Sequence, residues 1–301
     1  MTDIRYDGRV AIITGAGGGL GKTYALLLGK RGAKVVVNDL GGKSDGTGAG
    51  HSMADTTVQE IKAAGGEAVA NYDSVSTVDG GKKITQCALD SFGRVDIVIN
   101  NAGVLRDKTF LKLTQEELEI VLDVHLKGAF YVTQPAFASM KENNYGRIVM
   151  TASAAGIFGN FGQTNYGAAK MGLVGLAHVL AIEGAKNNIK CNVIAPIAKT
   201  RMTEQLLGPL ADQVLPEHVT PLVAYLVSEK CELTHEVFSV GGGRFARIFV
   251  GLTPGWYSGK GNFASPEDIR DHIDQIRNPE GYIIPANIGE EMMQLMKVLK
   301  G

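Results

Sequence analysis

Residues 9–21 read RVAIITGAGGGLG, an apolar run that passes straight into a turn made almost wholly of glycine. Arg9–Thr14 is short, β-branched and flanked by polar residues, which predicts a buried strand. Residues 22–31, KTYALLLGKR, then return to helical spacing. A strand, a glycine turn and a helix form an anion cradle. The first N–H groups of the helix have no partners within it, and a bound pyrophosphate can accept from them only where no side chain intervenes. Gly15, Gly19 and Gly21 fit G-x-x-x-G-x-G, while Gly15, Gly18 and Gly21 fit G-x-x-G-x-x-G. Spacing alone leaves both open.

Outward from this turn, strand and helix patterns alternate. Ala33–Asp39, Glu67–Asn71, Val95–Asn100, Arg147–Thr151, Ile189–Ala195 and Val237–Val240 read as six further strands. Between them apolar residues recur at helical spacing, as in Leu118, Val121, Leu122, His125 and Ala129. This alternation predicts an α/β fold of the Rossmann type, a doubly wound, seven-stranded parallel sheet with helices on both faces. Residues 1–243 are expected to form that domain. Residues 244–301, a short C-terminal extension, read as mostly irregular with helices near Pro266–Arg277 and Ile288–Leu299, packed on the main domain or on a partner subunit. Gly41–Gly50 is too rich in glycine for a core element and reads as a loop.

Composition narrows the function. Thirty basic and 31 acidic residues give a formal net charge of -1, so no global field draws the chain to nucleic acid or to a membrane. Cys87, Cys191 and Cys231 are scattered, which argues against a disulfide framework and against a zinc site, and no metal is expected. A reducing, cytoplasmic setting fits. The N-terminus lacks the order of a signal peptide, no apolar run has the length of a membrane span, and the final VLKG is not a peroxisomal address.

Asp39 ends the second strand, 20 residues after Gly19. A carboxylate there accepts from both ribose hydroxyls and repels a 2′-phosphate. With no basic residue adjoining it in the sequence, it favours NAD over NADP. Asp73 ends the third strand, where it can hold the adenine amino group. Asn100-Asn101-Ala102-Gly103 ends the fourth, and Gly103 lets backbone approach the cofactor.

Ser153, Tyr166 and Lys170 carry the chemistry. Tyr166 and Lys170 are four apart on one predicted helix and therefore lie side by side. A tyrosine titrates near pH 10, too high for a base at neutral pH. A neighbouring ammonium, together with the positive charge of an oxidised nicotinamide, favours the phenolate. Tyr166 can then take the proton of a substrate hydroxyl. Ser153, thirteen residues earlier at a strand end, can steady the substrate oxygen. The plain alternative, a surface Tyr–Lys pair, does not account for the serine and the glycine turn upstream.

TGAGGGLG, NNAG, the serine of MTAS and YGAAK together resemble the short-chain dehydrogenase/reductase superfamily over about residues 5–243. NNAG belongs with the G-x-x-x-G-x-G reading. The resemblance implies Ser153, Tyr166 and Lys170 as catalytic residues. It implies a dinucleotide held by Gly15, Gly19, Leu20, Gly21, Asp39, Asp73, Ser74, Asn101, Ala102, Gly103 and Pro196, with Tyr166 and Lys170 on its nicotinamide side. His125 stands where the superfamily usually has an asparagine, whose helix kink frees a carbonyl for a proton-relay water. It can keep that role or be a satisfied core histidine.

NDLGG with its glycine-rich loop, NNAGVLRDKTF, VHLKGAF, GNFGQTNYGAAK and NVIAPIAKTRMT resemble a narrower group. It is the (3R)-hydroxyacyl-CoA dehydrogenase part of peroxisomal multifunctional enzyme type 2, also called D-bifunctional protein or 17β-hydroxysteroid dehydrogenase type 4. This implies NAD-dependent oxidation of an acyl-CoA substrate, with a hydroxysteroid or other secondary alcohol as the alternative. A non-catalytic NAD-binding scaffold is the alternative of another class. Ile157, Phe158, Phe161 and Met202 are candidate walls of an acyl or steroid pocket. Lys199 and Arg201 are candidates for CoA phosphates. The helices about Gln115–Met140 and Gln163–Lys186 imply a homodimer or homotetramer.

Overall fold

The computed structural model describes residues 3–43, 45–200 and 203–300. Seven parallel strands form as the apolar runs predict: β1 (Val10–Thr14), β2 (Lys34–Asn38), β3 (Glu67–Asn71), β4 (Ile97–Asn100), β5 (Gly146–Thr151), β6 (Ile189–Pro196) and β7 (Val237–Gly241). Their spatial order is β3-β2-β1-β4-β5-β6-β7. The order reverses between β1 and β4, and at such a switch point the loops at the carboxyl ends part to leave a crevice.

Among the described residues the sheet has eight strands, not seven. Arg244–Ile248, expected to open an irregular extension, forms β8 beside β7. The cause is Gly242-Gly243, whose φ values of 56° and 79° make the two-residue turn that a hairpin needs. Only glycine adopts that pair of conformations without strain.

Residues of β1, β2, β4 and β5 are buried on both faces, as a sheet covered by helices requires. The helix Thr164–Gly184 packs on β5 and β6. Against the sequence expectation, this helix and the turn to Asn187 are long and apolar enough, by length and composition alone, to cross a membrane. It buries Asn165 and Lys170 against the protein, yet leaves Met171, Val179 and Ile182 exposed.

The first compact unit runs to Arg247 and a second begins at Ile248. The second contains the helices Pro266–Asp271, Ile273–Arg277 and Ile288–Lys300. Ser265 and Asp268 start the first of these with a reciprocal capping box. Leu252 pairs with Ile283, and Phe249 stacks on Tyr282.

Candidate active site

A cavity of about 280 Å³ opens at the switch point. Gly15, Gly19, Leu20, Asp39, Asp73, Ser74, Asn101, Ala102, Gly103, Ser153, Tyr166, Lys170 and Pro196 all line it, as does His125. Residues scattered over the chain thus meet at the carboxyl ends of the strands.

The glycine turn has a separate reason at each position. Gly15 and Gly19 have φ of 65° and 51°, in the left-handed region. A Cβ on Gly15 would stand 2.9 Å from Ala102 Cα, and one on Gly21 would stand 2.3 Å from the Gly15 carbonyl oxygen. Gly21 is therefore a packing residue and does not line the cavity. These contacts match G-x-x-x-G-x-G. Gly17, missed in the sequence, is also close-packed, because a Cβ there would stand 2.8 Å from Asp39 Oδ2 and 2.8 Å from Met53 Cβ. Asn101 works behind the turn. Its amide donates to the Thr14 and Gly15 carbonyls, while its backbone N–H donates to the Thr14 hydroxyl.

The Asp39 carboxylate accepts from Gly17 N–H at 2.8 Å and from Gly41 N–H at 2.7 Å. Both bonds fix its position, and each oxygen keeps a lone pair for a ribose hydroxyl. The loop that follows folds back, with Gly50 N–H donating to the Leu40 carbonyl. This brings Lys43 to the cavity wall, so a basic residue is nearer than the sequence suggested. Asp73 accepts from the Asn71 amide, and Asn71 in turn accepts from Asn38.

Ser153 begins the short helix Ala154–Phe158 and accepts from Ala155 N–H. Tyr166 and Lys170 share the helix Thr164–Gly184, and the Lys170 ammonium lies 5.4 Å from the Tyr166 ring centre. Burial pushes Tyr166 up to about 12, with the Ser153 hydroxyl pulling the other way. Burial also pushes Lys170 down to about 7. Both shifts have one cause, the cost of a charge in a poorly solvated cleft. Burial thus opposes the phenolate, which the sequence reading made depend on the ammonium and an oxidised nicotinamide together. Lys170 also donates to the Thr151 carbonyl.

His125 sits in a π-helical segment, Asp123–Lys127, between the helices Gln115–Leu122 and Gly128–Glu142. Such segments loosen the backbone ladder and are frequent at functional sites. The helix is thus distorted here with histidine in place of asparagine. The His125 ring is buried, its Nε2 is within hydrogen-bonding distance of both Val104 N and Val104 O, and it meets Tyr166 edge-on at 5.1 Å. Burial, with the nearby Lys170 charge, holds it well below its ordinary range and so neutral. Nδ1 has no partner among the described residues. A second cavity of about 10 Å³, the size of one water, is lined by His125, Lys170, Thr14 and Asn100.

The candidate substrate walls fare differently. Ile157, Phe158 and Phe161 do not line the cavity, and Phe158 and Phe161 are 72% and 89% exposed. The short helix after Ser153 carries Phe158 outward, and a glycine on each side of Asn160-Phe161 keeps that loop off the core. Met202 and Arg201 lie outside the described residues. Lys199 is held by Asp212 and Glu204, at 2.8 and 3.2 Å, which occupies the charge proposed for CoA. The sequence reading missed Thr200 and Thr203 in the cavity wall, and Val75, Val104 and Val124 among its apolar lining. For all but Val124, which lies in the π-helical segment, the signal was position after a strand end.

The family model for short chain dehydrogenases matches residues 9–208. The chain is 50% identical over 298 residues to the mouse peroxisomal multifunctional enzyme type 2, covering 98% of this chain and 40% of that protein. It is 53% identical over 247 residues to the peroxisomal hydratase-dehydrogenase-epimerase of Saccharomyces cerevisiae, covering 82% of this chain and 27% of that one. The solved full-length peroxisomal multifunctional enzyme type 2 of Drosophila melanogaster superposes with a TM-score of 0.82 at 41% identity, over 99% of this chain and 50% of that one. The chain thus spans half or less of these relatives. Short-chain dehydrogenases generally bind NAD(P), and the glycine turn, the Asp39 carboxylate and the open crevice fit such a dinucleotide. By its glycine turn, its clustered Ser153, Tyr166 and Lys170 and its match to the family model, the chain belongs to the short-chain dehydrogenase/reductase family and is an oxidoreductase.

Proposed function

We propose that the chain oxidises a (3R)-3-hydroxyacyl-CoA to the 3-ketoacyl-CoA, with NAD as the cofactor. The carrying observation is the convergence of Ser153, Tyr166 and Lys170 in the wall of the dinucleotide cavity. The substrate class comes from the resemblance of the sequence motifs, and one relative is named a hydratase-dehydrogenase-epimerase. A hydratase and a dehydrogenase on one chain suit a secondary alcohol made by hydration and then oxidised. Gly15, Gly19, Leu20, Asp39 and Asp73 would hold the dinucleotide, which supplies the hydride acceptor. Tyr166 takes the hydroxyl proton, and Ser153 donates to the substrate oxygen as its charge changes. Lys170 positions Tyr166 and, through the small cavity beside His125, passes protons onward. Tyr166 would act on the alcohol as the phenolate, which an oxidised nicotinamide beside Lys170 favours, and its protonated form serves as the acid in the reverse direction.

A second copy of the chain fits the apolar residues left exposed on the helix Thr164–Gly184, and with Phe130 these suggest a homodimer. The three cysteines are free, in keeping with a reducing, cytoplasmic setting. Tyr166→Phe tests the catalytic assignment. Turnover should fall by about 10²–10⁴-fold while dinucleotide binding stays. Full turnover by the variant would refute it.

A further inference from the structure

Two loops meet at the outer edge of the catalytic cavity. Lys108 bridges to Gln163, with Lys108 N–H donating to the Gly162 carbonyl at 2.9 Å. The Gln163 amide donates to Asp107 at 2.7 Å, and the Asn165 amide donates to the Arg106 and Glu117 carbonyls. One loop continues from the cofactor-binding Asn101–Gly103 and the other joins Ser153 to Tyr166. Cross-linked in this way, they form one rigid wall that runs out from both halves of the site.

That wall exposes aromatic side chains. Phe158 and Phe161 stand largely in solvent, at 72% and 89%. Two aromatic side chains exposed on the segment that joins Ser153 to Tyr166 offer an apolar surface close in sequence to the catalytic residues. Arg106 and Lys108 lie on the same wall. Unlike Lys199, neither forms an ion pair among the described residues. The nearby carboxylates are already engaged, Asp107 by Gln163 and Glu117 in a capping box with Thr114. Asp45 is near enough to feel Arg106 and is bonded to Thr47.

We propose that this wall is the outer substrate site, where Phe158 and Phe161 take the acyl chain and Arg106 and Lys108 take the phosphates of its carrier. The inference rests on the hydroxyacyl-CoA reading above. It assigns the two phenylalanines a role outside the cavity that they do not line. An amphipathic anion matches a surface that is aromatic and cationic at once. The apolar contact grows with chain length, because each further methylene removed from water adds to it.

The test compares the full chain with its Phe158→Ser/Phe161→Ser variant on butanoyl and hexadecanoyl 3-hydroxy thioesters of CoA. KM for the long substrate should rise about tenfold, and far less for the short one, with NADH affinity and mass in light scattering unchanged. Equal effects at both lengths, or none, would overturn the proposal. So would a fall in mass, which would give the phenylalanines to a second copy. Lys108→Glu should raise KM about tenfold for the CoA thioester and leave the pantetheine thioester, which lacks the nucleotide phosphates, unaffected. An equal rise for both would remove the phosphate role. Turnover of no hydroxyacyl thioester by the unaltered chain would overturn the parent reading as well, whereas the other failures leave it intact.

Discussion

The His125 imidazole fills the space that a side chain at Gly103 would need, since a Cβ there would stand 2.4 Å from His125 Cε1. The two residues are therefore coupled, one by having no side chain and the other by its bond to Val104. Gly103→Ala should push the ring away from Val104 and toward Tyr166. Overpacking of this kind costs about 1–3 kcal/mol. We expect a lower melting temperature and reduced turnover, with Tyr166 still present. An unchanged melting temperature would mean that the ring moves freely and that the coupling is absent.

Lys170 gives a pH signature of its own. Its folded value, pushed down to about 7 by burial, lies below the ordinary lysine value, so between about pH 7 and 10 the unfolded chain binds more protons. Stability should rise with pH across that window. Above about pH 10 the raised Tyr166 works in the opposite direction, since the folded state then keeps the extra proton. Denaturant titrations of the unaltered chain and of Lys170→Met would show the slope only in the former. Parallel curves for the two would refute the buried, depressed lysine.

Asp39 ties the glycine turn to the loop after β2 through Gly17 and Gly41. Asp39→Ala removes the ribose acceptor and the charge that repels a 2′-phosphate, and it leaves Lys43 on the cavity wall. NAD binding should weaken more than NADP binding in fluorescence titrations, by about tenfold in the ratio, the size of one lost charge-assisted bond. An unchanged ratio would remove Asp39 as the selector.

The sheet and the inner site were legible because their signals are local. Val10–Thr14 and its neighbours are buried runs of β-branched residues, Gly15 and Gly21 are dictated by close contacts, and Gly19 by a left-handed φ. Ser153, Tyr166 and Lys170 could be placed because a strand end and a helical spacing of four fix where they point. β8 was missed because Arg244–Ile248 is an exposed edge strand with little apolar patterning, and its signal lay in the Gly242-Gly243 turn. Lys43, Thr200 and Thr203 were missed because loops fold back at distances that sequence separation does not encode. That Phe158 and Phe161 lie outside the cavity was not legible, because an aromatic residue after a catalytic serine looks the same in sequence whether it faces inward or out.

The hydroxyacyl reading is tested most directly by following nicotinamide absorbance with NAD+ and the two enantiomers of a 3-hydroxyacyl-CoA, offered separately to the same preparation. The account predicts that the (3R) form is oxidised, that the (3S) form is not, and that Tyr166→Phe abolishes the signal. Turnover of neither enantiomer alongside turnover of another secondary alcohol, or preference for the (3S) form, would contradict it.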